Sequence, residues 1–412
     1  MQRLYYGWYI VAITALVLTL VVGTTFSAFG LFVVPVSQEF GLSRADTHMA
    51  MILCNLGGAL SGPFLGSLVD RISVKRALQI GAVLLGGCLA TLGLSHSLWL
   101  SAAVMLFLPV AIQGAGSLTT AVLIARWFRV HRGRAMALGL LGMAGASMIM
   151  PPILGNLIEH EGWRATLVIT GAAATVILLV LFLFVRDGPR PGETETGLFA
   201  DATQAVAPPH VEDKPKSVAE LLRNPAFWTI VLSSSAVLGA NTSVAISLAP
   251  LALGVGLSLP EATFLLSALG AGAVAGKLLI AAIADRISRV SLLVGMFIGV
   301  ALLNVIPFLG VDFLFLLTLA FCYGVGGAMM PVFYALLADR FGPASYGTVQ
   351  GLVVPVIATL STVCLRFAGE VFDRTGGYEL MFVVFAAMQG LAAVVMLATH
   401  FLPQASVRLA EA

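Results

Sequence analysis

GSLVDRISVKRAL, residues 66–78, stands between two long apolar runs, and four of its letters return: DRIS at 70–73 recurs as DRIS at 285–288, 215 positions later. The surroundings repeat at the same offset. GWRATLVITG at 162–171 is echoed by GYELMFVVFA at 377–386, and ARWFRVHRG at 125–133 occupies the place that LADRFGPAS holds at 337–345. The chain therefore reads as two similar halves. Only 10% of its 412 residues are charged and 59% are hydrophobic, against about 25% charged in a soluble domain. Such a chain is expected to lie in lipid.

A helix needs about 20 apolar residues to cross a hydrocarbon core of about 30 Å. Runs that satisfy this are placed near 8–34, 46–69, 76–95, 98–125, 135–158 and 165–185 in the first half, and near 226–250, 262–284, 290–309, 312–337, 347–371 and 379–401 in the second. The expected fold is an all-α membrane protein with twelve transmembrane helices in two six-helix parallel repeats, a recurrent plan for carriers. The domains are 1–185, an N-terminal bundle, and 225–412, a C-terminal bundle. Between them lies 186–224, a Pro-rich, charged linker whose composition cannot form a core. Its end, SVAELLRNP, carries a Ser-x-x-Glu capping box that predicts a short surface helix. The first apolar run is too long for a signal-peptide core and is expected to stay as a span.

Lys and Arg set the orientation. With the N-terminus inside, all but five of the 22 basic residues fall on the cytoplasmic side; Arg44, Arg164 and Arg374 lie outside, and Lys277 and Arg366 lie in the membrane. Both termini are thus expected in the cytoplasm of a cell-membrane protein. No basic tract interleaves with aromatics, so nucleic acid is not expected as a partner. The four cysteines (Cys54, Cys88, Cys322, Cys364) lack metal or disulfide spacing and the histidines sit in loops or at span ends. No cofactor, metal or enzymatic activity is expected, and a monomer is.

GSLVDRISVKRAL resembles the signature loop between spans two and three of the major facilitator superfamily, with Ser73 in place of the usual glycine. The resemblance runs through the whole chain by way of the repeat. ARWFRVHRGRAMALG (125–139), Gly162-Trp163-Arg164 and ELLRNPAFW (220–228) look like the monocarboxylate porter and oxalate–formate antiporter branches. In those branches span eight carries a substrate-binding arginine eight residues before the loop aspartate, a register that here falls on Lys277. The resemblance implies that Lys277 binds a carboxylate, and that Asp70, Arg71, Asp285 and Arg286 form a conformational latch. Monocarboxylate porters have an aspartate where this chain has Ala273 and a lysine in span one where it reads GTTFSAFG (23–30). The second cation of the oxalate–formate branch lies about two turns from Arg366.

The residues make the same case from chemistry. Lys277 lies eight residues from Asp285 and Arg366 seven from Asp373, which puts them about 12 Å and 10 Å into the membrane from opposite ends at 1.5 Å per residue. No acidic residue lies mid-membrane to neutralise them; the nearest, Glu370, is one turn beyond Arg366, where an i,i+4 pair is the rival to substrate contact. Gln113, Asn241, Tyr323 and Tyr334 are at comparable depth and offer hydrogen bonds either to a carboxylate or to neighbouring helices. The function expected is secondary transport of a small organic anion, a lactate- or pyruvate-like monocarboxylate, by alternating access, with proton coupling left open. The alternatives are a dicarboxylate exchanger of the oxalate–formate type, a drug or metabolite exporter, and a non-transporting membrane sensor.

Overall fold

The computed structural model describes residues 5–128, 132–190, 217–283, 287–305, 312–342 and 345–399, and every regular element among them is helical. The first half contains α1 (Tyr6–Val22), a π-helical turn (Gly23–Ser27), α2 (Phe29–Phe40), α3 (Arg44–Arg71), α4 (Val74–Leu94), α5 (Leu98–Ala115), α6 (Ser117–Trp127) and α7 (Arg132–Leu183). The short α8 (Val218–Arg223) precedes α9 (Pro225–Gly254), α10 (Leu259–Ile283), α11 (Arg289–Leu303), α12 (Phe313–Gly327), α13 (Met330–Phe341), α14 (Tyr346–Thr375) and α15 (Glu379–Ala398). Among the described residues nine helical segments are long and apolar enough to span a membrane. One of them, Leu138–Leu183, is 46 residues long and broken at Gly162, whose φ of 78° and ψ of 161° divide α7 into two spans. Adding α3 and the 15-residue α11 completes twelve.

Several expected spans are not single rods. Span one changes to π geometry at Gly23–Ser27. Span four breaks at Gly116, with φ −126° and ψ −113°, into α5 and α6. Span ten breaks at Ala328 into α12 and α13. Helix α11 stops at Leu303, short of the expected 309, and residues 306–311 lie outside the described set.

The duplication is written into the helix ends. Ser73 and Ser288, the serines of the two DRIS motifs, are the N-caps of α4 and α11 and accept from the Arg76 and Ser291 backbone N–H at 3.2 and 3.1 Å. Such a side-chain oxygen meets one of the orphan N–H groups of a first turn. Ser43 with Asp46 and Ser258 with Glu261 open α3 and α10 in the same way. Left-handed or positive-φ glycines turn the chain at Gly41 and Gly256, and again at Gly162 and Gly376. Each pair is separated by 214 or 215 residues, so the halves share their boundaries even where their apolar letters differ. The capping box expected at 217–220 is present: Ser217 Oγ accepts from Glu220 N–H at 3.3 Å, and Glu220 Oε2 accepts from Ser217 N–H at 2.8 Å.

The chain packs as two compact units, Met1–Ala205 with Leu248–Ala271, and Val206–Ser247 with Gly272–Ala412. These packing units and the repeat halves differ over 248–271. In the first unit the motif residues close the bundle. Trp127 and Phe128 are buried against Tyr5 and Trp8, with Tyr5 OH donating to the Trp127 carbonyl at 2.6 Å and Trp127 Nε1 to the Arg186 carbonyl at 2.9 Å. At another corner Arg164 donates to Glu39 at 2.8 Å and to the Gly93 and Ser95 carbonyls, while Trp163 Nε1 reaches Glu39 at 2.8 Å. The Gly-Trp-Arg motif thus ties three spans together at one end. In the second unit Phe227, Phe297, Phe333 and Phe341 centre the core. Helix α10 lies directly on α12 there: a Cβ on Gly272 would sit 2.0 Å from the Phe321 carbonyl oxygen, and one on Gly276 2.6 Å from that of Val325. Small residues four apart permit this approach of two backbones.

Candidate functional site

Lys277 follows Gly276 on α10, one position around the helix from the face that touches α12. It is half-buried, and among the described residues it has no hydrogen-bond or ion-pair partner. An ammonium in an apolar helix without a counter-charge is costly, and such residues mark ligand pathways.

Arg366 is differently placed. On α14 its Nη2 lies 2.7 Å from Glu370 Oε1, and Arg374 Nη2 lies 3.2 Å from Glu370 Oε2. One carboxylate therefore joins two arginines along a single helix face, the i,i+4 pair that the sequence offers as the alternative to substrate contact. Of the same stripe, Thr359 returns its hydroxyl to the Pro355 carbonyl.

Gln113, in α5, donates to the Gly58 carbonyl and to Ser61 Oγ at 3.2 and 3.0 Å, so its amide holds α3 and α5 together. Tyr334 packs its ring on Phe333 at the edge of the second unit's core. Asn241 and Tyr323 meet each other: Tyr323 OH donates to Asn241 Oδ1 at 3.1 Å. That same oxygen accepts from Gln389 Nε2 at 3.2 Å, and Gln389 Oε1 accepts from Asn304 Nδ2 at 2.7 Å. Gln389 and Asn304 escape a sequence search because each is a lone polar letter in an apolar run. The only signal is that a buried amide must find partners. Helix α9 also carries buried serines, Ser234, Ser235, Ser243 and Ser247, whose hydroxyls have no hydrogen-bond partner among the described residues.

Of the latch residues, Asp70 and Arg71 end α3, while Asp285 and Arg286 lie outside the described residues. A related tie is present in the second unit, where Arg289 at the start of α11 pairs with Asp339 and donates to the Ala335 carbonyl at 2.7 Å on α13.

A cavity of about 320 Å³ in the first unit contains none of these residues. Phe29, Phe32, Met105 and Trp163 line it, and Thr24 and Thr25 of the π-helical turn reach it. Its lining includes no Lys, Arg or His, so it offers nothing to balance an anion. Among the described residues no three His, Cys, Asp or Glu side chains gather as a metal site.

Twelve spans in two repeats, with matching caps on α3 and α10 and on α4 and α11, are the architecture of a polytopic carrier. The model of the Major Facilitator Superfamily matches residues 15–352 and 231–410. The chain belongs to that superfamily and is an integral membrane transporter. It is 22% identical over 90% of its length, and 90% of the relative's, to the uncharacterized MFS-type transporter YcxA of Bacillus subtilis. It is 24% identical to mouse monocarboxylate transporter 11, covering 92% of this chain and 84% of the relative. With the oxalate:formate antiporter of Oxalobacter formigenes it shares 24% identity over 54% of this chain and 50% of the relative. Among solved structures, a bacterial homolog of the human lysosomal transporter Spinster, inward-facing and unoccupied, superposes with a TM-score of 0.68 and 17% identity over 98% of both chains.

Proposed function

We propose that this transporter carries a small organic anion, a monocarboxylate of the lactate or pyruvate kind, across the cell membrane by alternating access, with Lys277 binding the carboxylate. The observation that carries this reading is the half-buried ammonium of α10, which has no acidic partner among the described residues. A carboxylate supplies the missing charge, and a charge-assisted hydrogen bond to it is among the stronger polar contacts available. Relatives named for monocarboxylate and for oxalate–formate transport support the same substrate class. Asn241, held by Tyr323, contributes a hydrogen bond, and Asp70, Arg71, Asp285 and Arg286 act at the cytoplasmic helix ends, with both termini on that side.

The test is uptake of labelled lactate, pyruvate and oxalate into proteoliposomes. We expect saturable uptake of at least one monocarboxylate that Lys277→Ala abolishes. A proton gradient and a pre-loaded internal anion are applied in separate arms, which separates cotransport from exchange. A second reading, dicarboxylate exchange, is supported by the second intramembrane cation, Arg366; oxalate uptake that depends on internal formate and on Arg366 would favour it. Binding without flux would favour a sensor, and uptake of organic cations alone would overturn the anion assignment.

A further inference from the structure

The cavity of the first unit has an apolar interior and one charged end. At about 320 Å³ it falls within the range of small-molecule sites. Its wall on α5 runs from Leu98 to Leu108, about 15 Å at 1.5 Å per residue and half the depth of a hydrocarbon core. Of the residues that line it, Asp46, Met49 and Leu98 are exposed, and all three lie in the first two turns of α3 or α5. The cavity therefore opens at the helix ends opposite the DRIS loop of α3. It runs inward as far as Thr24 and Thr25 in the π-helical turn of span one.

The hydroxyls in its wall are already engaged. Thr24 and Thr25 donate to the Leu20 and Val21 carbonyls at 2.8 and 2.6 Å, and Thr47 to that of Ser43 at 2.9 Å, each within its own helix. An apolar cavity stays dry and takes up apolar molecules. Among the described residues Asp46 is the one charged side chain in the lining. Its neighbours at that end are committed elsewhere: Glu39 pairs with Arg164 at 2.7 Å, and Arg44 reaches Ser37 Oγ at 3.4 Å. Asp46 Oδ2 accepts from the Ser43 hydroxyl at 2.9 Å, and a carboxylate has acceptor sites for several donors at once.

We propose that this cavity binds a single-chain cationic amphiphile, with the alkyl chain inside and the ammonium at Asp46. The apolar wall rewards each methylene buried, and its length suits a chain rather than a compact ring. The charge at the mouth selects the head. An anionic head would meet Asp46 with no Lys, Arg or His in the lining to offset the repulsion. The preference is thus opposite to that of Lys277, which belongs to the second unit. The site stands apart from the anion-carrier reading and does not depend on it.

The test is photolabelling of the full-length protein in nanodiscs of zwitterionic lipid, which avoids alkyl detergent. The probe is decylammonium with a diazirine at the chain end. It should label the deep end of the cavity, near Thr24, Thr25 or Leu108, and that labelling should saturate, while label on exposed Leu391 and Val394 of α15 rises in proportion to the probe. Unlabelled decylammonium should compete best, decanol less and decanoate least. The ammonium's advantage over the alcohol should be about two- to fivefold, as for an exposed ion pair, and Asp46→Asn should remove it. Ala102→Trp adds bulk between Leu98 and Leu108 and should abolish saturable labelling; Ala50→Leu should weaken it if the tryptophan variant does not fold. Excess lactate should leave the labelling unchanged. Labelling that never saturates overturns the site. Saturable labelling that ranks the three heads equally, or that Asp46→Asn leaves untouched, overturns the assignment of the ammonium to Asp46. Displacement by lactate would put the probe in the anion's route and overturn the proposal as well.

Discussion

Replacing Lys277 by methionine should make the ligand-free protein more stable while it loses its anion. Methionine keeps an unbranched apolar stem of similar length, so packing along α10 is little changed and the charge is what disappears. A cation at the centre of a membrane helix costs about 2.5–3.5 kcal/mol on insertion scales. Lys277 is half-buried and has no ion-pair partner among the described residues to lose. Relief of about 1–2 kcal/mol is therefore expected, a rise in melting temperature of roughly 1–3 °C for a chain of this size. The binding side moves the other way. Loss of one charge-assisted hydrogen bond, about 1.5–3 kcal/mol, weakens affinity roughly 10- to 150-fold. At a ligand concentration 100 times the original dissociation constant, ligand stabilisation should fall from about 2.7 kcal/mol to between about 1.4 and 0.3 kcal/mol. Thermal unfolding of the purified protein with and without the acid reads both quantities in one experiment. A methionine variant less stable than the parent when ligand-free would reveal a partner for the ammonium and refute its role as an unmet charge. An undiminished ligand shift would remove Lys277 from the site.

Arg366→Gln and Glu370→Gln should act as a pair. The two side chains are 39% and 33% exposed, so their bond is worth about 0–1 kcal/mol after screening and the double variant should unfold within a few degrees of the parent. If the double variant also keeps the affinity for matched mono- and dicarboxylates, Arg366 is structural; selective loss of the dicarboxylate would move it into the site. Arg164→Lys should lower the melting temperature by several degrees, because a single ammonium cannot serve Glu39, Gly93 and Ser95 as the guanidinium fork does; a silent lysine variant would show that the clasp is dispensable. The linker at 186–224, of which residues 191–216 lie outside the described set, should resist protease added outside intact cells and be cut in inverted vesicles. Cleavage from outside would reverse the topology.

What the sequence made legible was what depends on composition over short stretches. Apolar runs long enough to cross lipid mark the spans, and Ser217 with Glu220 marks the short helix α8. The breaks at Gly116 and Ala328 were hidden because hydropathy continues across them unchanged. The π-helical turn at Gly23–Ser27 leaves no compositional trace either, since one surplus residue per turn alters facing and not polarity. Lys277 was legible as an anomaly in its own run, and Arg366 with Glu370 as an i,i+4 pair. The Asn304–Gln389–Asn241 chain was not, since its members are 85 and 148 residues apart and each looks isolated where it stands. Local chemistry announces helix ends; long-range pairing of single polar groups does not.

The matched caps also have a consequence for how the two halves can diverge. Ser73 and Ser288, or Gly41 and Gly256, do their work within three or four residues of themselves, so neither half needs the other to know where its helices begin. Between such points the lipid-facing apolar letters are nearly interchangeable, because lipid asks only for bulk and oiliness, whereas glycines packed on a neighbouring backbone, such as Gly272 and Gly276, are not. Substitution should therefore have run freely through the lipid-facing positions of the spans and been held at their edges. A saturation scan of the whole chain, scored for folded yield, would carry an echo: intolerance at one position would reappear about 215 residues later, strong at the turns and caps and faint along the rods.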